Sequence, residues 1–222
     1  EDAQGSLFEM SEPRMGDLES WCVEQGYTSI VGVDEAGRGP LAGPVHAAAV
    51  VVDLTRLDDD WLTGLDDSKQ LEEFEREAAF ETIREVAPAW CIEHSDHDVI
   101  DRINILEATH RAMERAVRSA CDDFGGEVDY LFVDGNSPIQ VDMRQRAVVG
   151  GDARSLAIAA ASILAKVSRD AVMCEHHERW PAYNFASNKG YPTGEHRRAI
   201  AENGPCPIHR RTFGGVEEHL GE

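Results

Sequence analysis

Ile30-Val31-Gly32-Val33-Asp34-Glu35-Ala36-Gly37-Arg38-Gly39 is the stretch on which the reading of this chain turns. Residues 30–33 are mainly apolar, as in a buried strand, and Gly37, Gly39, Pro40, Gly43 and Pro44 then break the run. Ala47 to Val52 resumes with small and β-branched residues, so the segment reads as strand, glycine-rich bend, strand. The first strand ends on two adjacent carboxylates. Successive side chains on a strand point to opposite faces, so Asp34 and Glu35 share a site only if the strand bends. The glycines at 37 and 39 make such a bend cheap.

A second apolar run, Tyr130 to Val133, ends in the same way on Asp134, with Gly135 behind it. If the two strands lie parallel and adjacent, Asp34 and Asp134 meet at the carboxyl edge of the sheet, where α/β proteins place their sites. A single strand-end Asp more often accepts hydrogen bonds in a turn. Asp152 stands just before Ser155, which reads as the N-cap of a helix from Leu156 to about Glu178. The positive end of that helix favours an ionised carboxylate. Ala157, Ala159, Ala160, Ala161 and Ala165 crowd the same helix and let another backbone approach it closely.

Four carboxylates with no Cys or His pair beside them suit Mg²⁺ or Mn²⁺ rather than zinc. Two such ions about 3.5 to 4 Å apart suit phosphodiester hydrolysis. The competing reading is a non-catalytic, acidic cation-binding or interaction protein whose carboxylates only hold water.

The remaining pattern predicts a helix over 71–86 closed by Pro88, then a strand over 89–94. A long helix follows over 98–121, with Ile100, Ile103, Leu106, His110, Met113 and Val117 on its buried face. A short strand over 147–149 and a helix near 195–202 complete the series. Strands separated by helices imply an α/β domain with a mixed central sheet flanked by helices. Its expected parts are a leader over 1–28 with one helical candidate at 17–25, a core over 29–178, and a C-terminal helical and loop extension over 179–222.

The 222 residues carry a net charge of −21, and such a polyanion repels nucleic acid unless its basic groups are gathered. Between 166 and 211, the eight basic residues Lys166, Arg169, Arg179, Lys189, Arg197, Arg198, Arg210 and Arg211 outnumber five acids. That is a local positive strip for phosphate contacts, which Arg38 and Lys69 extend. Only Lys69, Lys166 and Lys189 are lysines among the 21 basic residues, an acid-rich, lysine-poor habit that fits life in high salt. The five cysteines are odd in number, far apart and never paired as C-x-x-C, which excludes a zinc ribbon or disulfide framework. No run of about 18 apolar residues exists to span a bilayer, and the start lacks a secretory pattern. A cytoplasmic, monomeric protein without membrane partners is expected. His196 and His209 receive no catalytic assignment, since a lone histidine more often has a structural hydrogen-bonding role.

From about Ile30 to Phe213 the chain resembles bacterial-type ribonuclease HII, in the ribonuclease H superfamily. The resemblance is carried by Val33-Asp-Glu-Ala-Gly-Arg-Gly-Pro40 with Leu-Ala-Gly-Pro-Val45, Asp67-Ser-Lys69, Ile100-Asp-Arg-Ile-Asn-Ile105 and Val133-Asp-Gly-Asn136. Gly151-Asp152, Ala160 to Asp170, Lys189-Gly-Tyr191 and His209-Arg-Arg-Thr-Phe213 continue it in order. A lone Asp-Glu pair is weak, but the ordered series is specific. It implies a ribonuclease H-like fold and a metal-dependent endonuclease that cuts 5′ of ribonucleotides in RNA/DNA hybrids and in duplex DNA carrying single ribonucleotides. By that resemblance Asp34, Glu35, Asp134 and Asp152 are the catalytic metal ligands for two ions. The resemblance also implies that Gly37, Arg38 and Gly39 approach the ribose 2′-hydroxyl and that Tyr191 stacks on the sugar at the junction, while the positive strip offers Lys69, Lys166, Arg169 and Lys189 as expected substrate contacts. A sliding clamp is a candidate partner.

Overall fold

Residues 14–65 and 71–221 are described by a computed structural model of the chain. The strands are β1 (Ser29–Ala36), β2 (Val45–Asp53), β3 (Ala89–Ser95), β4 (Tyr130–Asp134) and β5 (Gln145–Val148). The helices are α1 (Asp17–Glu24), α2 (Asp60–Thr63), α3 (Glu73–Val86), α4 (His97–Ile103), α5 (Ile105–Phe124), α6 (Leu156–Arg179), α7 (Phe185–Asn188) and α8 (Gly194–Asn203).

The strands form a mixed sheet in the order β3-β2-β1-β4-β5. β1, β2 and β3 pair antiparallel, whereas β4 lies parallel to β1 and β5 parallel to β4. The β1–β4 register sets Val33 against Val133. Asp34 and Asp134 therefore lie side by side at the same end of the sheet, one step past the last β1–β4 pair, as the two matching strand ends predict.

Because strand side chains alternate in direction, β1 feeds two cores. Ile30 joins Ala48, Val50, Phe132 and Val148 beneath the alanine-rich face of α6. Val31 and Val33 join Ala47, Ala49, Val51, Leu131 and Val133 beneath Ala112, Met113, Ala116 and Val117 of α5. Burial on both faces explains why the strands read as near-continuous apolar runs rather than alternating ones. At Gly32 a β-carbon would lie 2.4 Å from the Ala157 carbonyl carbon, so α6 rests directly on the backbone of β1.

Two expectations need correcting. The single helix over 98–121 is two helices, because Asn104 takes φ 74, ψ 163, ends α4 and caps α5 by accepting from the Glu107 amide. Asn tolerates positive φ better than most residues, and the break resets the helical phase. The buried stripe of α5 is consequently Ala108, Thr109, Ala112, Met113, Ala116, Val117 and Ala120, while Leu106 is 46% exposed. β5 lies earlier than the expected 147–149, leaving Val149 exposed beyond it. The helix expected at 17–25 forms at 17–24, and its Leu18, Trp21 and Cys22 belong to the α6-side core, so this part of the leader is packed into the domain. The Asp67-Ser-Lys69 segment lies outside the described residues.

Candidate active site

Ligand oxygens of Asp34, Glu35 and Asp134 all lie within 4.8 Å of one another at the carboxyl edge of β1 and β4. β1 keeps its pairing with β2 as far as Ala36, opposite His46, so the bend falls after Glu35 rather than between the two acids. Asp34 is buried, and its Oδ1 accepts the Glu35 amide at 2.6 Å. Asp134 Oδ1 accepts the Gly151 amide at 2.8 Å, which ties β4 to the turn that carries Asp152.

Burial holds the Asp34 carboxyl well above the usual carboxylate range, and the negative charges of Asp134, Glu35 and Asp152 push it the same way. Asp152 thus lies within electrostatic reach of the cluster. Burial also raises Glu35, against the pull of Arg38, whose Nη1 lies 3.2 Å from Glu35 Oε1. A half-enclosed, all-oxygen donor set with accumulated negative charge fits a hard divalent cation such as Mg²⁺ or Mn²⁺.

Beside the cluster, Gly37 adopts φ +96, and a β-carbon there would lie 2.0 Å from Arg169 Nε. Only glycine satisfies both the conformation and the space. Arg169 Nε donates to the Pro44 carbonyl at 3.0 Å and its Nη2 to Ala42 at 3.4 Å. Arg210 donates to five carbonyls of the same bend: Gly43 from Nε, Arg38 and Pro40 from Nη1, and Gly37 and Pro44 from Nη2. Both guanidiniums are fully buried, at 1% and 0% exposure. The expectation that Arg169 contacts substrate is therefore corrected. Its planar fork is spent on backbone carbonyls, and Arg169 and Arg210 brace the bend from behind. With both removed from the positive strip, six basic groups face the five acids between 166 and 211.

A cleft of about 370 Å³ opens over this bend, lined by Glu35 to Gly39 and by Arg76, Ser162, Ile163, Lys166 and Tyr191. Tyr191 is 42% exposed, and its Cε1 would lie 3.6 Å from a β-carbon at Gly39. Lys166 pairs with Asp170 along α6. Lys189 does not line this cleft; with Lys166 and Arg76 it lines a smaller adjoining cavity of about 100 Å³, and its Nζ donates to Ala186 O at 2.6 Å. Arg76, on α3, lines both spaces, and nothing in its helical surroundings in sequence marked it for the site. Lys69 lies outside the described residues.

His196 and His209 form a buried pair with Nε2 atoms 3.0 Å apart. The Cys206 amide donates to His209 Nδ1 at 2.9 Å, and His196 Nδ1 lies 2.9 Å from the Tyr191 carbonyl, which can only accept. Those two ends set the tautomers: His209 donates from Nε2 to His196 Nε2, and both rings are neutral. Burial, with the neighbouring His196, lowers His209 to about 4, and burial lowers His196 as well. The pair anchors the loop that presents Tyr191, consistent with giving neither ring a catalytic task.

The family model described as Ribonuclease HII matches residues 31–216 of the chain. A ribonuclease HII from Geobacter sulfurreducens is 49% identical over 211 residues, covering 95% of this chain and 94% of that protein. Among solved structures, ribonuclease H2 from Pyrococcus horikoshii superposes with a TM-score of 0.71 at 26% identity, over 86% of this chain and 96% of that one. The ribonuclease HII of Archaeoglobus fulgidus, solved in complex with PCNA, gives 0.64 at 25% identity over 83% and 95% of the two chains.

Proposed function

The chain belongs to the ribonuclease HII family, and on that premise we propose that it hydrolyses the phosphodiester 5′ of ribonucleotides, in RNA/DNA hybrids and at single ribonucleotides embedded in duplex DNA. The products are 3′-hydroxyl and 5′-phosphate ends. Asp34, Glu35, Asp134 and Asp152 hold two Mg²⁺ or Mn²⁺ ions. The observation that carries this reading is the convergence of Asp34, Glu35 and Asp134 on one point, with the charge of Asp152 close by. Such ions, when bound, activate a water and neutralise charge that develops on the leaving oxygen.

The chain's own residues set where this happens. In the Gly37-Arg38-Gly39 bend, Gly39 presents backbone free of a β-carbon to the cleft and lets it close on a ribose, whose 2′-hydroxyl tells RNA from DNA, while the β-carbon missing at Gly37 makes room for Arg169. Tyr191, across the cleft from Gly39, stacks on the sugar where ribonucleotide gives way to deoxyribonucleotide. Arg38, Lys69, Lys166 and Lys189 meet phosphates, which position the duplex without reading its sequence. Removal of misincorporated ribonucleotides and clearance of RNA primers in the cytoplasm are the tasks this activity serves, by a monomer. The PCNA-bound relative supports a sliding clamp as partner class. The charge of −21 and the scarcity of lysine support a high-salt setting.

The test is cleavage of a duplex carrying one ribonucleotide in the presence of Mg²⁺. Wild type cuts 5′ of the ribonucleotide, and Asp34→Asn and Asp134→Asn each lose roughly 10³-fold, the scale of removing a group that stabilises transition-state charge. Tyr191→Ala slows cleavage about tenfold, as loss of one stacking contact does, and still binds Mn²⁺. Undiminished cleavage by either Asn variant would overturn the ligand assignment, and absence of cleavage by the wild type would favour the non-catalytic cation-binding reading.

A further inference from the structure

α1 brings into the core a carboxylate that plays no part in the cluster described above. Glu19 is fully buried; its Oε1 accepts from Ser155 Oγ at 2.7 Å and from the Ala157 amide at 3.2 Å, while Oε2 is buried with no hydrogen-bond partner among the described residues. Burying such a group is costly, so its position calls for a purpose beyond packing.

Ser155 stands at the far end of the turn that serves the site. Its hydroxyl caps α6 by accepting the Ile158 amide at 3.2 Å, which leaves its hydrogen for Glu19. The Ser155 amide donates to the Gly151 carbonyl at 2.8 Å, and the Gly151 amide donates to Asp134 Oδ1 at 2.8 Å. Three hydrogen bonds thus lead from Glu19 to a candidate metal ligand, and Asp152 sits within the span they fix. A second tie from the same segment runs from the Gly16 amide to the Arg154 carbonyl at 3.1 Å.

We infer that Glu19 is a positioning residue for the metal centre: by holding Ser155 it sets the turn so that the Gly151 amide meets Asp134 and Asp152 stays near Asp34. The inference rests on the metal-centre reading above. Removing the acceptor leaves the buried Ser155 hydroxyl to seek another, at the expense of its cap on α6, and the turn loses its anchor.

Calorimetric titration of Mn²⁺ into the full chain, without nucleic acid, tests this apart from turnover. Glu19→Ala binds Mn²⁺ about tenfold more weakly, as loss of an outer support for metal ligands does. Glu19→Gln keeps an acceptor oxygen for Ser155 and Ala157 and stays close to wild type. Ser155→Ala matches Glu19→Ala, and the double variant is no weaker than either single one, because both remove the same link. Val117→Ala, in the core on the opposite face of the sheet, lowers the melting temperature without changing Mn²⁺ affinity. Wild-type affinity in Glu19→Ala overturns the inference, as does a Gln variant as weak as Ala, or an equal loss in Val117→Ala. Asp34→Asn separates the two failures. If it binds Mn²⁺ like wild type, the metal centre itself is misplaced; if it loses binding while Glu19→Ala does not, only the role of Glu19 falls.

Discussion

At the carboxyl edge of β1 and β4, carboxylates gather against one another; a few residues away, behind the Gly37–Pro44 bend, guanidiniums do the same. Burial is the first cause of the shifted ionisation in both regions, raising Asp34 and, with the charge of Arg169, lowering Arg210 to about 9. The two differ in how the buried charge is met. Arg210 is surrounded by five carbonyl acceptors, so its region is complete as it stands. Asp34 accepts the Glu35 amide and otherwise faces like charge, so its region improves when a cation enters. One region is built to hold a shape, the other to receive something.

The sharpest way to break this contrast is on the basic side. Arg210→Met takes the guanidinium from five carbonyls, of which Pro44 keeps Arg169 as a donor, and should lower stability by about 3 kcal/mol or more in a denaturant titration. Arg210→Lys keeps the charge but has no planar fork and should recover less than half of that loss. A Met variant as stable as wild type would mean the bend holds itself.

The neutral His196–His209 pair belongs to the same bracing region and gives the next effect. Because His209 falls from 6.5 to about 4, the unfolded chain takes up a proton at higher pH than the folded one. The stability this contributes is present above about pH 6.5 and is lost as pH falls towards 4, at up to about 1.4 kcal/mol per pH unit. His209→Gln should flatten that part of a stability–pH curve, with the lowered His46 and His196 keeping some of the slope. An unchanged slope would show that the ring does not stay neutral.

The smallest effect lies on the acidic side and has the opposite sign. With Asp34 raised, its ionisation at neutral pH disfavours the folded state, so Asp34→Asn should stabilise the metal-free protein while slowing cleavage in Mg²⁺. A gain of about 1 kcal/mol corresponds to roughly 3 °C in melting temperature for a chain of this size. A drop in melting temperature instead would remove the electrostatic half of the comparison.

Much of this could be read from the chain because the acidic edge announces itself. Two apolar runs that stop on Asp, and a Ser before an alanine-rich helix, record strand ends and a cap through local rules. The bracing region leaves no such trace. An arginine that donates to carbonyls looks the same in sequence as one bound for phosphate, so the sequence does not set Arg169 apart from the cleft-lining Lys166. Glu19 carries no local mark either, since its partner Ser155 lies 136 residues away. The apolar spacing from Ile100 to Val117 runs unbroken across Asn104, whose backbone restarts the helix, so it does not show the division between α4 and α5.

Gly32 sits two residues before Asp34, and there α6 rests on bare backbone, with the Ala157 carbonyl carbon 2.4 Å from where a β-carbon would stand. Adding one methyl group would require the helix and the strand to part by on the order of 1 Å in a close-packed interior. The Asp152 turn leads directly into that helix, whereas Asp34 belongs to that strand. The gap between the two acids is therefore gauged by a side chain that is missing. A spacing within the candidate site has been written into the sequence as an omission, at a position outside the acidic cluster.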